Sequence, residues 1–126
     1  MLGSAYVRAD LPVVDLERAR RFYAEKLGLK VLTEDPSPGI VLGAGNGTAI
    51  YPYQRGATKA DHTAAEFIVV DVEAEVKELK GKGVRFEEYD MPEMGIKTVD
   101  GIATMNGIKA AWFKDTEGNI LAISSC

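Results

Sequence analysis

The chain is poor in the side chains from which disulfides and metal sites are usually built. Its 126 residues include one cysteine, Cys126, and one histidine, His62. A lone cysteine cannot close a disulfide within the chain, and a cysteine-based metal site would need partners that the sequence lacks. We therefore interpret Cys126 as an incidental thiol and His62 as an exposed loop residue.

Long apolar runs and an excess of positive charge are also missing. No apolar run approaches the roughly 18 residues of a membrane-spanning helix. The first ten residues lack the charged and then apolar order of a secretory signal. The net charge of −4 argues against nucleic-acid binding, which calls for a basic face. The composition favours a cytoplasmic globular protein that binds neither membrane nor nucleic acid.

What the chain does contain is one pattern used twice. The segments LPVVDLERARRFYAEKLGL, from Leu11, and IVVDVEAEVKELKGKGV, from Ile68, both read as a strand end, an acidic cap, an amphipathic helix and a glycine stop. Asp15 and Asp71 each follow two valines and can accept hydrogen bonds from the first helical turn. Apolar residues recur at helical spacing in both segments and predict the buried stripes. These are Leu16, Ala19, Phe22, Tyr23 and Leu27 in the first segment and Val72, Val76 and Leu79 in the second.

Short alternating or β-branched runs predict the strands around each helix. In the first half they cover residues 6–14, 30–33, 40–42 and 48–53, with a turn at 36–39. In the second half they cover residues 64–70, 85–89, 102–105, 109–113 and 120–124, with a loop or an irregular edge at 90–100. The order is βαβββ, twice, which predicts an α+β domain of two modules at about 4–55 and 62–126. One helix per module predicts helices on the outer face of a curved mixed sheet, whose other face would be an open cleft.

Three stretches make the chain resemble the vicinal oxygen chelate superfamily, which includes glyoxalase I, bleomycin-resistance proteins and extradiol dioxygenases. They are VVDLERARRFYAEKLGLKV, FIVVDVEAEVKELKGKGVRF and AWFKDTEGNILAI, in the family's order and spacing. The resemblance implies paired βαβββ modules that form a U-shaped sheet, and commonly a homodimer. It does not fix the chemistry, because members of this superfamily perform different reactions on one scaffold.

The metal-dependent members of that superfamily use four ligand positions, usually His or Glu. Carried over onto this chain, these positions are Arg8, Ala49, Ala64 and Ala122. Three of them carry no donor atom, and the guanidinium of Arg8 stays protonated and cannot ligate a cation. The sequence therefore predicts a protein of this family without metal or other cofactor.

Alternation along the strands predicts which side chains would line the cleft with those four positions. Arg8 could pair with an anionic ligand or form an internal ion pair with Asp10 or Glu66. Trp112, Tyr51 and Tyr53 offer aromatic surface with polar tips. The predicted lining also includes Tyr6, Ile68, Ala110, Ile108 and Ser124. Met91, Met94 and Met105 could form an adaptable cover or ordinary core.

Two classes of function remain on this basis. The first is metal-independent binding of a small aromatic or anionic molecule, as the resemblance to bleomycin-resistance proteins implies. The second is an enzyme of the same superfamily, such as a lyase, isomerase or dioxygenase. It would be metal-free, with Glu66 or Asp10 as general base, or would hold a divalent metal at ligands that the motif comparison does not identify.

Overall fold

The computed structural model describes residues 1–33 and 39–125, and the chain divides into two compact units, Met1–Lys59 and Ala60–Cys126. Each unit combines one sheet with one α-helix and is described by itself below. Cys126 and the predicted turn at 36–38 lie outside the described residues. No helix within the described ranges is long and apolar enough to cross a membrane.

The first unit holds a four-stranded sheet in the order β1-β4-β3-β2. The strands are β1 (Ala9–Val13), β2 (Lys30–Thr33), β3 (Val41–Gly43) and β4 (Ala49–Gln54). β1 runs parallel to β4, and the other pairs are antiparallel. Because β1 lies at the sheet edge, it tolerates Pro12, which has no N–H to donate to a neighbouring strand.

The helix of the first unit begins as predicted but does not stay regular. The side chain of Asp15 accepts a hydrogen bond of 3.0 Å from the amide of Arg18, which caps α1 (Leu16–Arg21). The chain then continues as a π-helical turn, Phe22–Lys26. Phe22 and Tyr23 are both buried within this turn, with their rings edge to face and 5.4 Å apart. The wider turn lets both aromatic side chains enter the core.

The second unit holds a six-stranded sheet in the order β5-β10-β9-β8-β7-β6. The strands are β5 (Thr63–Ile68), β6 (Asp90–Met91), β7 (Ile96–Val99), β8 (Ile102–Met105), β9 (Ile108–Lys114) and β10 (Ile120–Ser124). Asp71 caps α2 (Val72–Gly81) through a 3.0 Å bond from the amide of Ala74. The predicted stripe of Val72, Val76 and Leu79 is buried. The α+β class and the two βαβββ modules are confirmed.

Tyr6 is placed differently from the prediction. The sequence predicted a strand from residue 6, but β1 begins at Ala9, and Tyr6 is 98% exposed. The reason lies in the partner strand. Ala9 pairs with Ile50 in a parallel register, so residues before Arg8 would need partners that precede Ala49. In that part of the chain Gly45–Gly47 form a 3₁₀ turn instead of a strand. Tyr6 therefore does not lie on the strand that was predicted to place it in the cleft.

The predicted strand at 85–89 is wrong, whereas residues 90–100 form an irregular edge of the second sheet, one of the two alternatives that the sequence left open. Phe86 makes one bridge to Phe113, and the amide of Glu87 donates to the carbonyl of Trp112 at 2.8 Å, but no continuous strand forms there. The next stretch is instead the hairpin of β6 and β7, joined by a 3₁₀ turn that ends at Gly95 with a φ of 68°. This hairpin gives the second sheet six strands, two more than the first sheet has.

Glu88 accepts a hydrogen bond from the turn between β7 and β8, so we expect its contribution to stability to depend on pH. The amide of Gly101 donates to Glu88 at 2.8 Å. Hydrogen bonds from the Thr98 hydroxyl and then from Gly101 hold the pKa of Glu88 below its usual value of 4.5. A lowered pKa in the folded state stabilises the fold above the unfolded value, and this contribution is lost as the pH falls through the folded value.

We therefore expect E88Q to be less stable than the natural chain at pH 7, and we expect this difference to be smaller at pH 3, below the usual pKa of glutamate. Urea unfolding at both pH values measures this difference. An equal loss of stability at both pH values would show that the carboxylate charge plays no part.

Candidate functional site

The candidate site residues lie on the face of each sheet that is opposite the helix of the same unit, here called the far face. In the second unit, Lys109 shares the helix side with α2, so alternation along β9 places Phe113 on the helix side and Trp112 on the far face. Residues that pair across neighbouring strands lie on the same face of the sheet. Ala122 pairs with Trp112 and Glu66 pairs with Ala122, so both also lie on the far face. In the first unit, Asp10 pairs with Tyr51 on the corresponding face.

Arg8 lies against Tyr51 in the first unit. Its guanidinium carbon is 4.4 Å from the ring centroid, within the range of a cation–π contact. Its Nε atom is 3.7 Å from Oδ1 of Asp10, so of the two internal partners that the sequence suggested, Asp10 is the one that pairs with it. The Arg8 side chain remains 44% exposed. Since the ion pair is made through Nε and the side chain is partly exposed, the guanidinium can still donate to an anion.

Glu66, Ser124 and Trp112 come together on the far face of the second unit. The hydroxyl of Ser124, a buried residue, donates a hydrogen bond to the carboxylate of Glu66. Ala122, which is buried, lies between Trp112 and Glu66 in the register. The result is an aromatic surface beside an anchored carboxylate.

Tyr89 belongs to this group, and the sequence analysis did not identify it. Its ring packs edge-on against Trp112, with centroids 5.5 Å apart. Burial, and then the nearby charge of Glu87, raises the pKa of the Tyr89 hydroxyl, which keeps it neutral at physiological pH. Tyr89 is held by its own backbone, since its carbonyl accepts from the amide of Thr98 at 2.8 Å. No spacing pattern marks it, because it lies in a segment that is not a regular strand.

The remaining predicted residues take simple positions. Tyr53 is half-buried in β4, two residues after Tyr51, and so lies on the same face. Ile68 is 57% exposed at the end of β5. His62 is exposed in the loop before β5, with its ring Nδ1 3.3 Å from the carbonyl oxygen of Thr63. Met94 is exposed, whereas Met91 and Met105 are half-buried.

The residues at the four family ligand positions do not fit a divalent metal ion. Arg8 and Ala49 directly precede the registered pair of Ala9 and Ile50, which supports treating them as equivalent positions of neighbouring strands. In the second unit, Ala122 is registered with Glu66, whereas Ala64 is skipped where the register of β5 on β10 shifts. None of the four can donate an electron pair to a metal. Within residues 1–33 and 39–125, no three His, Cys, Asp or Glu side chains are grouped so as to hold a metal ion.

The comparisons with known proteins agree with the fold. The sequence profile of the Glyoxalase/Bleomycin resistance protein/Dioxygenase superfamily matches residues 5–123, and the chain belongs to this superfamily. A superfamily member from Sphaerobacter thermophilus is 23% identical, with a TM-score of 0.76 over 99% of this chain and 100% of that one. No curated protein matches the sequence significantly.

Two further solved structures show how varied the described activities on this fold are. Lactoylglutathione lyase from Agrobacterium tumefaciens is 18% identical, with a TM-score of 0.70 over 97% of this chain and 93% of that one. Oxidase ChaP-H2 is 24% identical, with a TM-score of 0.65 over 97% of this chain and 94% of that one. At this identity the likeness shows the fold alone.

Proposed function

We propose that this chain is a metal-independent member of its superfamily that binds a small aromatic or anionic molecule on the far face of a sheet, with each unit considered by itself. The ligand-binding residues are Arg8, Tyr51, Tyr53, Glu66, Trp112 and Ser124. The observation that carries the proposal is the replacement of ligating side chains by three alanines and one arginine, on faces that also present aromatic rings. Each far face offers stacking surface and hydrogen bonds, but the described residues hold no group of three His, Cys, Asp or Glu side chains that could bind a metal ion.

Arg8 supports an anionic group on the ligand. The ring of Tyr51 and the carboxylate of Asp10 hold the guanidinium in place while leaving the side chain partly exposed. A guanidinium that is already positioned loses little side-chain entropy when it binds a carboxylate or phosphate. Asp10 lowers the local positive charge, so the expected affinity for a simple anion is modest.

Trp112 and Glu66 support an aromatic body with a polar substituent. The ring of Tyr89 packs against the indole of Trp112 and holds it in place, so the indole is a preformed surface for stacking. The carboxylate of Glu66, oriented by Ser124, can accept a hydrogen bond from a hydroxyl or amine of the ligand. Together they favour an aromatic compound with a donor group over a purely aliphatic one.

An enzyme on the same faces is the second candidate. The observation that favours it is that Glu66 is both anchored by Ser124 and exposed, as a general base must be to reach its substrate. Asp10 is the weaker candidate, because its carboxylate already forms an ion pair with Arg8. Turnover of a bound aromatic compound that is abolished in E66Q, with binding retained, would establish this second function in place of the first.

Calorimetric titration with benzoate, phenyl phosphate and the neutral control benzyl alcohol, all in the presence of a chelator, tests the first function. We expect binding without any added metal, and we expect R8A to weaken benzoate about tenfold, as loss of a charge-assisted hydrogen bond implies, while leaving benzyl alcohol unchanged. R85A, which removes an exposed arginine elsewhere, is the matched control. Trp112 fluorescence reports whether the same ligands reach the second unit.

Binding that requires a divalent cation would contradict metal independence. Equal effects of R8A and R85A would remove Arg8 from the site. The homodimer and the cytoplasmic location expected from the sequence stay predictions, and analytical ultracentrifugation tests the first of them.

A further inference from the structure

A groove of about 730 Å³ lies between α2 and strands β7, β8 and β9 of the second unit. It exists because α2 packs on β9 while the sheet continues past the helix through β8 and β7. The groove is on the helix side of the sheet, so it is a different surface from the far face that carries Trp112 and Glu66. Its volume is in the range of small-molecule sites.

The floor of the groove is apolar and uncovered. Val99 of β7 is registered with Ile102 of β8, and both side chains line the groove together with Val76 of α2. Val99 is 66% exposed and Ile102 is half-buried, although both lie on the side of the sheet that α2 covers elsewhere. Burying the apolar part of a ligand on this floor would be favourable, because it removes apolar surface from water.

The rim of the groove is basic in a chain of net charge −4. Four lysines from three elements line it, together with only two carboxylates, Glu73 and Asp100. Lys109 forms an ion pair with Glu73, and Lys80 donates to the carbonyl oxygen of Asp100 at 3.0 Å. The side-chain ammonium groups of Lys77 in α2 and Lys97 in β7 have neither an ion pair nor a hydrogen bond with any residue in the described ranges. Two uncommitted ammonium groups therefore flank the apolar floor.

We propose that this groove binds a small amphiphilic organic anion. The apolar body of the ligand lies on Val76, Val99 and Ile102, and its carboxylate lies between Lys77 and Lys97. An inorganic anion would leave the floor exposed, and a neutral hydrocarbon would leave both ammonium groups without a partner, so only a ligand with both parts uses the whole surface. The turn at Gly101, fixed by Glu88, and the Lys80 bond to Asp100 hold β7 and β8 in place beside the helix.

Octanoate, octanol and octylammonium are matched probes for this proposal, because they share one apolar chain and differ in charge. Amide shifts of the uniformly ¹⁵N-labelled chain should locate octanoate at β7, β8 and α2. We expect octanoate to bind at least tenfold more tightly than octanol, octylammonium not to bind, and salt to weaken octanoate.

Substitutions test the contribution of the lysine charges and that of the apolar floor separately. The double variant K77Q/K97Q should weaken octanoate about tenfold and leave octanol unchanged, whereas V99S should weaken both. The matched control K30Q/K59Q removes two exposed lysines of the first unit and should leave octanoate binding unchanged. R8A should also leave it unchanged, which keeps this proposal distinguishable from the function proposed above. An unchanged amide spectrum without ligand establishes that each variant is folded.

Three results would overturn the proposal. Octanol binding as tightly as octanoate would remove the anion requirement. Octanoate shifts confined to the far face, around Ala103 and Ala110, would move the ligand off the groove. A dimer in solution whose interface protects the Val99 and Ile102 amides from exchange would make a second copy of the chain the occupant.

Discussion

Replacing Phe113 by alanine is expected to lower the free energy of unfolding by about 4 kcal/mol, the middle of the range for a buried phenylalanine. Phe113 is 1% exposed, it is registered with Leu121 of β10, and its ring packs edge-on against Phe86 at 5.4 Å. The truncation removes apolar burial and leaves a cavity in a dense part of the second unit. Urea unfolding followed by the fluorescence of Trp112, the preceding residue, measures the loss.

Two variants bracket that expectation. F113L keeps most of the buried volume and should lose only about 1 to 1.5 kcal/mol. I108A, at a 44% exposed position of the same strand, should lose less than about 1 kcal/mol. A loss for F113A as small as that for I108A would mean that the second unit collapses around the cavity and that its core is not specifically packed.

Replacing Asp115 by alanine is expected to cost about 3 kcal/mol, although no apolar contact is lost. Asp115 is 7% exposed, and its carboxylate accepts hydrogen bonds of 2.8 Å from the amide of Glu117, the amide of Asn119 and the side-chain amide of Asn119. Alanine leaves these donors without this acceptor at the turn between β9 and β10, and a buried donor without an acceptor costs about 1 to 3 kcal/mol. Urea unfolding and amide exchange at Glu117 and Asn119 measure the effect.

The asparagine variant distinguishes the acceptor role from the charge. D115N keeps one side-chain oxygen and should recover about half of the loss seen in D115A. D90A, which removes an exposed carboxylate, should change stability by no more than about 0.5 kcal/mol. Equal stability of D115A and D90A would mean that water replaces the carboxylate and that the turn does not need it.

Both substitutions also bear on the proposed site. The turn around Asp115 and the packing of Phe113 fix β9 against β10, and this register places Trp112 opposite Ala122 and beside Glu66. A shift of one residue would send Trp112 to the helix side. Ligand binding by the second unit therefore depends on these two residues, neither of which lies on the far face.

Local rules were sufficient to predict the frame of the fold from the sequence. Asp15 and Asp71 cap their helices through bonds to the third residue beyond, as short-range capping requires. The stripe of Val72, Val76 and Leu79 is buried because helical spacing alone places it on one face. The placement of Trp112 on the face opposite Phe113 followed from alternation along the strand.

Features that depend on contacts between distant residues were not predicted. The stacking of Arg8 on Tyr51 and the bond from Ser124 to Glu66 are set by strand pairing, which the sequence does not show directly. Tyr89 reaches Trp112 from a segment that bonds through a Thr98 side chain instead of a regular ladder. The hairpin of β6 and β7 was missed because β6 is only two residues long and a proline follows it.

The pairing of β5 with β10 has a consequence for the order in which the second unit can assemble. β7 to β10 follow one another as hairpins with short turns, so their pairing closes small loops at low entropic cost. β5 instead pairs in parallel with the last strand, and the bond from Ser124 to Glu66 joins residues 58 positions apart. Closing so long a loop costs more entropy and is favoured only after the hairpins exist. A nascent or partly unfolded second unit can therefore retain the Trp112 hairpin while lacking Glu66, and such a species would present the aromatic surface without the carboxylate that completes the far face.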